Sequence, residues 1–207
     1  MRGRWETTRT EAFSDGVFAI AITLLVLDLA VPQSELNHFW RAIVHQWPAY
    51  LAYATSFITI GGIWLGHHSV FRRLQYANTA VMRANLALLM VVSFLPFPTR
   101  LVAEGLSHPE SVERGAVIFY GGWLLVIAIV FSALWRVVLR DRELLRPEVT
   151  DAEIAAIGRA SAPNIGFYAV MTVFALLAPR VAAFGYLVVA IVTVGRVRDD
   201  RRSRTSA

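Results

Sequence analysis

Apolar residues along this chain gather in long blocks rather than in half-buried stripes, and those blocks predict its elements. A helix that crosses a bilayer needs about 20 mostly apolar residues. Six segments reach or approach that length. The first runs from about Phe13 to Val31, the second from Ala49 to Phe71, and the third from Ala80 to Val102. The fourth runs from Gly115 to Leu139. The fifth and sixth are shorter, Pro163 to Ala178 and Val181 to Gly195. The expectation is an all-α membrane protein with six transmembrane helices.

Polar punctuation refines the blocks. Pro96 and Pro98 break the third span near its end, because proline lacks a backbone donor and clashes with the preceding turn. Thr150-Asp151-Ala152-Glu153 reads as a capping box, which starts the fifth helix ahead of its apolar block and carries it through a kink at Pro163. Pro179-Arg180 marks a tight turn, so the last two spans form a hairpin. Gly61-Gly62 and Gly121-Gly122 are places where neighbouring helices approach closely. The chain divides into a cytoplasmic N-terminal segment (1–12), a six-span domain (13–195) and a polar C-terminal tail (196–207) expected to be disordered.

Composition supports the membrane reading. Of 207 residues, 56% are hydrophobic and 17% charged, against roughly 45–50% and 25% in soluble domains. There is no cysteine, which excludes a disulfide framework, a thiolate metal site and a cysteine nucleophile. All 20 basic residues are arginine, so no Schiff-base or phosphate-loop lysine exists. No cofactor and no resident metal ion are expected. A net charge of +5 could suggest nucleic acid, but the arginines sit where membrane topology puts them. With the N-terminus inside, 16 arginines fall in inner segments and 4 in outer ones, namely Arg41, Arg100, Arg114 and Arg180. The positive-inside rule then places both termini in the cytoplasm. Trp40, Trp47, Tyr50 and Tyr53 cluster as an outer aromatic belt. A cleaved signal peptide is the competing reading of the first block; it lacks a small-x-small cleavage site and carries Asp15 and Asp28 at its two ends.

Ionisable groups at membrane depth are costly and point to function. On the first helix, the spacing of Phe13, Gly16, Val17, Ile20, Thr23, Leu24 and Leu27 traces one face. Taken alone, that face reads equally as a lipid-facing or packed stripe whose single threonine bonds its own backbone. Asp15 could simply complement the helix dipole, or it could pair with another helix. His67 and His68 point about 100° apart on a helix and cannot chelate one metal together; one faces headgroups and the other packs inside. At that depth a cluster of Ser14, Asp15 and one histidine is feasible. Asn85 reads as interhelical glue.

The segment Arg9-x-x-x-Phe13-Ser14-Asp15-Gly16, running into Val17-Phe18-Ala19-Ile20-Ala21-Ile22-Thr23-Leu24, resembles the prokaryotic members of the transmembrane-protein-175 potassium-channel family. Trp64-x-x-His67 followed by Phe71 also resembles that family. The resemblance implies a homotetramer in a bacterial inner (plasma) membrane, with the first helix of each subunit lining a central pore. It implies that Ile20 forms a hydrophobic constriction, Thr23 a hydroxyl layer above it, and Leu27, with Leu24, a further apolar ring. It implies that Arg9, Phe13, Ser14, Asp15 and His67 clamp the pore helix instead of conducting. Asp28, from its position, is expected to concentrate cations at the outer mouth. No carbonyl-lined filter sequence is present, so a dewetting constriction is the expected gate. The function expected is a potassium-preferring cation channel whose partners are its own copies, potassium ions and lipid. A proton-coupled membrane transporter using Asp15 and His67 as a relay is the alternative, although no pair of broken helices supports it. A non-conducting scaffold or membrane enzyme is a third, and no nucleophile–base spacing or HExxH motif supports an enzyme.

Overall fold

The computed structural model describes residues 5–29 and 38–205, with the side chains of 156–164 and 196–205 outside that description. The expected end of the first span at Val31 lies outside the described residues. Among those described, the chain is helical and its only extended pairings are two isolated bridges. Helix α1 covers Thr7–Leu24 and continues as a 3-10 turn, Leu25–Asp28. Then come α2 (Phe39–His45), α3 (Trp47–Phe71), α4 (Thr79–Ser93), α5 (Pro96–Gly105), α6 (Glu110–Leu139), α7 (Asp151–Phe174) and α8 (Pro179–Thr205).

Among the described residues, four stretches are long and apolar enough to cross a membrane: Thr7–Asp28, Trp47–Phe71, Thr79–Gly105 and Glu110–Leu139. The apolar parts of α7 and α8, Ile165–Phe174 and Pro179–Gly195, are shorter. The third block is two helices. Asn78 caps α4 by accepting from the Val81 N–H at 3.0 Å. The helix ends at Ser93, and Pro96, which has no N–H to donate, sits in the first turn of α5. At α7 the capping box forms as the sequence suggests: Thr150 Oγ1 accepts from the Glu153 N–H, and Glu153 accepts from the Thr150 N–H. Helix α7 is continuous in backbone from Asp151 to Phe174; the side chain of Pro163, where a kink is expected, lies outside the described residues.

Three boundaries differ from expectation. Helix α1 starts at Thr7, ahead of its apolar block. Two backbone bonds, Trp5 N–H to Ala77 O (2.9 Å) and Ala77 N–H to Trp5 O (3.0 Å), fix where the chain enters. Asp15 therefore lies two turns inside the helix and is no dipole-capping residue. Helix α2 fills part of the loop expected between the first two spans, burying Ala42 and leaving Phe39, Trp40 and Val44 exposed. Finally, α8 continues as helix to Thr205, through the tail expected to be disordered.

The core sits around α3, which packs against α1, α5 and α8, and around α6, which packs against α4, α5, α7 and α8. Helix α1 lies at the edge, held by α3 and α4. In lipid such contacts are driven by close packing and interhelical hydrogen bonds, since lipid tails are as apolar as leucine. Gly121 shows the closeness required: a Cβ there would overlap the Tyr186 hydroxyl of α8. Gly62 approaches Val194, whereas Gly61 and Gly122 face open space. At the arginine-rich end, the α3–α4 loop is tied to the α6–α7 loop by Gln75 N–H to Leu144 O (2.8 Å) and Arg146 N–H to Arg73 O (2.9 Å).

Candidate functional site: the first helix and its clamp

Helix α1 has two unlike faces. Thr10, Ser14, Phe18, Ala21 and, in the 3-10 turn, Leu25 are buried against the bundle. Phe13, Ile20, Leu24 and Leu27 are exposed, Ile20 by 61% and Leu27 by 72%. Gly16 and Thr23 share this uncovered face. An apolar, uncovered stripe 100° wide or more is what a helix needs to meet lipid or other copies. The one polar side chain on it is Thr23, whose hydroxyl donates to the Ile20 carbonyl at 2.9 Å. With its proton committed inward, the Thr23 oxygen presents lone pairs outward, as an acceptor.

The buried face is locked by a directional polar chain. Ser14 Oγ donates to the Thr10 carbonyl (2.8 Å). Its oxygen can then accept from Asn85 Nδ2 of α4 (3.0 Å). Asn85 Oδ1 is left as the acceptor for His67 Nε2 of α3 (2.8 Å), which assigns the proton of that bond to Nε2. Ser14 and His67 are fully buried and Asn85 is 1% exposed. His67 is further wedged between aromatic rings, stacked on Phe71 at 4.3 Å and tilted against Phe18 at 5.3 Å. Three helices thus meet through one asparagine that the sequence marks only as glue.

A second seam runs along the edge of the same contact. Asp15 Oδ1 accepts from Trp64 Nε1 at 2.8 Å. One turn earlier on α1, Glu11 lies 2.6 Å from His68 Nδ1. Trp64 and His68 stack on each other at 5.9 Å. Both pairs have i,i+4 spacing, so antiparallel α1 and α3 face each other through two rungs. That matched spacing is the signal that could have identified Glu11, Trp64 and His68. The structure therefore brings Ser14 and His67 together, gives Asp15 a tryptophan partner, and leaves Arg9 and Phe13 exposed.

A third polar group lies deeper in the bundle. Ser56 of α3 bonds Thr99 of α5 (2.7 Å) and Tyr120 of α6 (2.9 Å), all buried. These hydroxyls escape a search for ionisable residues, and they tie α3, α5 and α6 without touching α1's open face. At the end opposite the arginine cluster, Asp28 closes the 3-10 turn, half-buried beside α5. Glu113 of α6, 2% exposed, receives both bonds of Arg180 Nε at 3.1 and 3.2 Å. Among the described residues no group of three His, Asp or Glu could hold a metal ion.

Residues 9–96 match the family model described as endosomal/lysosomal potassium channel TMEM175. The chain is 44% identical over 168 residues to a potassium channel of Chamaesiphon minutus, covering 80% of this chain and 82% of that protein. It is 36% identical over 154 residues to the endosomal/lysosomal proton channel TMEM175 of Danio rerio, covering 68% of this chain but 29% of the longer protein. The crystal structure of a lysosomal potassium-selective channel TMEM175 homolog from Chamaesiphon minutus superposes with a TM-score of 0.82 at 39% identity. That superposition covers 92% of this chain and 97% of that one.

Proposed function

The chain belongs to the TMEM175 family, and we propose that it is a potassium-preferring cation channel of the bacterial plasma membrane, assembled as a homotetramer around its first helix. The observation that carries this reading is the division of α1. One face is fixed by the Ser14–Asn85–His67 chain, and the other presents Ile20, Thr23, Leu24 and Leu27 to whatever lies outside the subunit. In the proposed assembly four such faces converge. Ile20 forms the narrowest ring, which gates by dewetting. Thr23 oxygens, already turned outward, coordinate a partly dehydrated cation one turn beyond. Leu24 and Leu27 line the widening pore, and Asp28 sits at its outer mouth. Ser14, Asp15 and His67 hold α1 in place, with Trp64 and Asn85; Arg9 and Phe13, exposed on the single subunit, take no part in that clamp within it. Six crossings, with α7 and α8 as the last two, put both termini on the arginine-rich, cytoplasmic side.

The relatives of the chain are channels, and an enzymatic role has no support among them. The name of the Danio rerio relative favours one second reading, proton permeation. Recording reconstituted protein across a planar bilayer under opposed potassium and pH gradients separates the two. The reversal potential should follow the potassium gradient. A reversal potential that tracks pH alone would replace the potassium reading with the proton one, and silence in both would remove the channel.

A further inference from the structure

Three of the four arginines assigned to the outer side pair with a carboxylate, as Arg142 does with Asp151 at the opposite end. Arg100, Arg114 and Arg180 each bond a carboxylate: Glu104 at 2.8 Å, Glu110, and the buried Glu113. Arg72, Arg83, Arg136 and Arg140 at the opposite end are exposed and have no carboxylate partner among the described residues. Arg100 also stands apart within the outer group. The 3-10 turn that ends the pore helix packs against α5, and Asp28, its last residue, lies in the electrostatic field of Arg100 and Glu104. Arg100 and Glu104 occupy one face of α5 at i,i+4, with their side chains 63% and 56% exposed.

We propose that Arg100 is a conductance-setting residue. It offsets part of the negative charge that Asp28 and Glu104 place at the outer mouth, and so caps the local concentration of cations entering the pore. This rests on the channel reading above. The physical basis is the potential that fixed charges set up in a confined mouth, which multiplies the local concentration of mobile ions. With Arg100 in place the trio carries one net negative charge per subunit; without it, two. Such an effect has a signature that a packing defect lacks. It weakens with salt, because the screening length falls from roughly 20 Å at about 20 mM to about 3 Å at 1 M. It also acts alike on potassium and sodium, since charge alone does not discriminate between them.

The test is single-channel conductance for inward current, measured with potassium at about 20 mM and at 1 M on the outer side. Arg100→Gln should raise the low-salt conductance about twofold and leave the 1 M value and the potassium-to-sodium permeability ratio unchanged. Asp28→Asn should lower the low-salt value, and Asp28→Asn with Arg100→Gln should return it to wild type. Arg100→Lys, which keeps the charge, should reproduce the wild-type value. Arg114→Gln breaks a similar surface pair at the same end and should have no effect. A low-salt conductance indifferent to Arg100→Gln, or a change of equal size at both concentrations, overturns the proposal while leaving conduction intact. Absence of any cation current in wild-type protein overturns the channel reading and this inference with it.

Discussion

Ile20 and Thr23 lie one turn apart on the open face of α1, yet they should fail in different ways. A ring of isoleucine side chains repels water, and an asparagine there offers water both donors and acceptors. Ile20→Asn should therefore raise single-channel conductance severalfold at unchanged protein stability; unchanged conductance removes Ile20 from the gate. Thr23 contributes an oxygen, not bulk. Thr23→Ala keeps the helix, since the hydroxyl only bonds the Ile20 carbonyl of its own turn. It should lower the potassium-to-sodium permeability ratio, and bi-ionic reversal potentials would show that directly. Asn85 belongs to the opposite class. Asn85→Leu strands the His67 ring nitrogen in a dry site and removes the donor to Ser14 Oγ, which keeps its own bond to the Thr10 carbonyl, at roughly 1–3 kcal/mol. The expected result is a lower melting temperature and less assembled protein, with the permeability ratio of surviving channels intact.

At the scale of helices, the glycine pairs make a clean comparison. Gly121→Ala drives a methyl into the Tyr186 hydroxyl, which must swing away and give up its 3.2 Å bond to Thr172. That should destabilise the α6–α7–α8 group by about 1–3 kcal/mol. Gly122→Ala meets nothing and should be neutral or stabilising by up to about 1 kcal/mol, because alanine favours helix. Thermal melts of the two variants in one detergent decide the matter, and equal melting temperatures would deny the close approach. The sequence shows that such pairs exist but not which member faces a neighbour, since that depends on helix rotation. Hydropathy made the long blocks legible, and Pro96, Pro179 and the Thr150 capping box marked real boundaries. Helix α2 and the early start of α1 were not legible. Their residues are polar or short in run, and what orders them is remote: Ala77 for Trp5, and α3 for Glu11 and Asp15. The Ser14–His67 proximity could be reasoned from depth alone. Asn85 as the link could not, because nothing in one sequence reports which face of α4 meets α1.

For the molecule as a whole, the exposed stripe on α1 has no cover among the described residues of one chain. The proposed tetramer predicts a mass four times that of the 23.0 kDa subunit once detergent is discounted, which native mass spectrometry reads directly. A monomer in mild detergent would leave the stripe to lipid and end the shared-pore reading. Asp15→Ala, which removes the Trp64 bond from the edge seam, should shift the population toward smaller species more than it shifts selectivity.

The backbone bridge between Trp5 and Ala77 also limits how such a pore could move. Two hydrogen bonds pin the root of α1 to the loop between α3 and α4, and that loop is in turn laced to the loop after α6. A piston stroke of α1 along its own axis would have to break both Trp5–Ala77 bonds or drag that laced loop with it. A swing about the pinned root would break none of them, and its amplitude would grow with distance along the helix, from little at Ser14 to most near Leu27. With the root as a fulcrum, the N-terminal end of the first helix would stay still while the end bearing Asp28 travels.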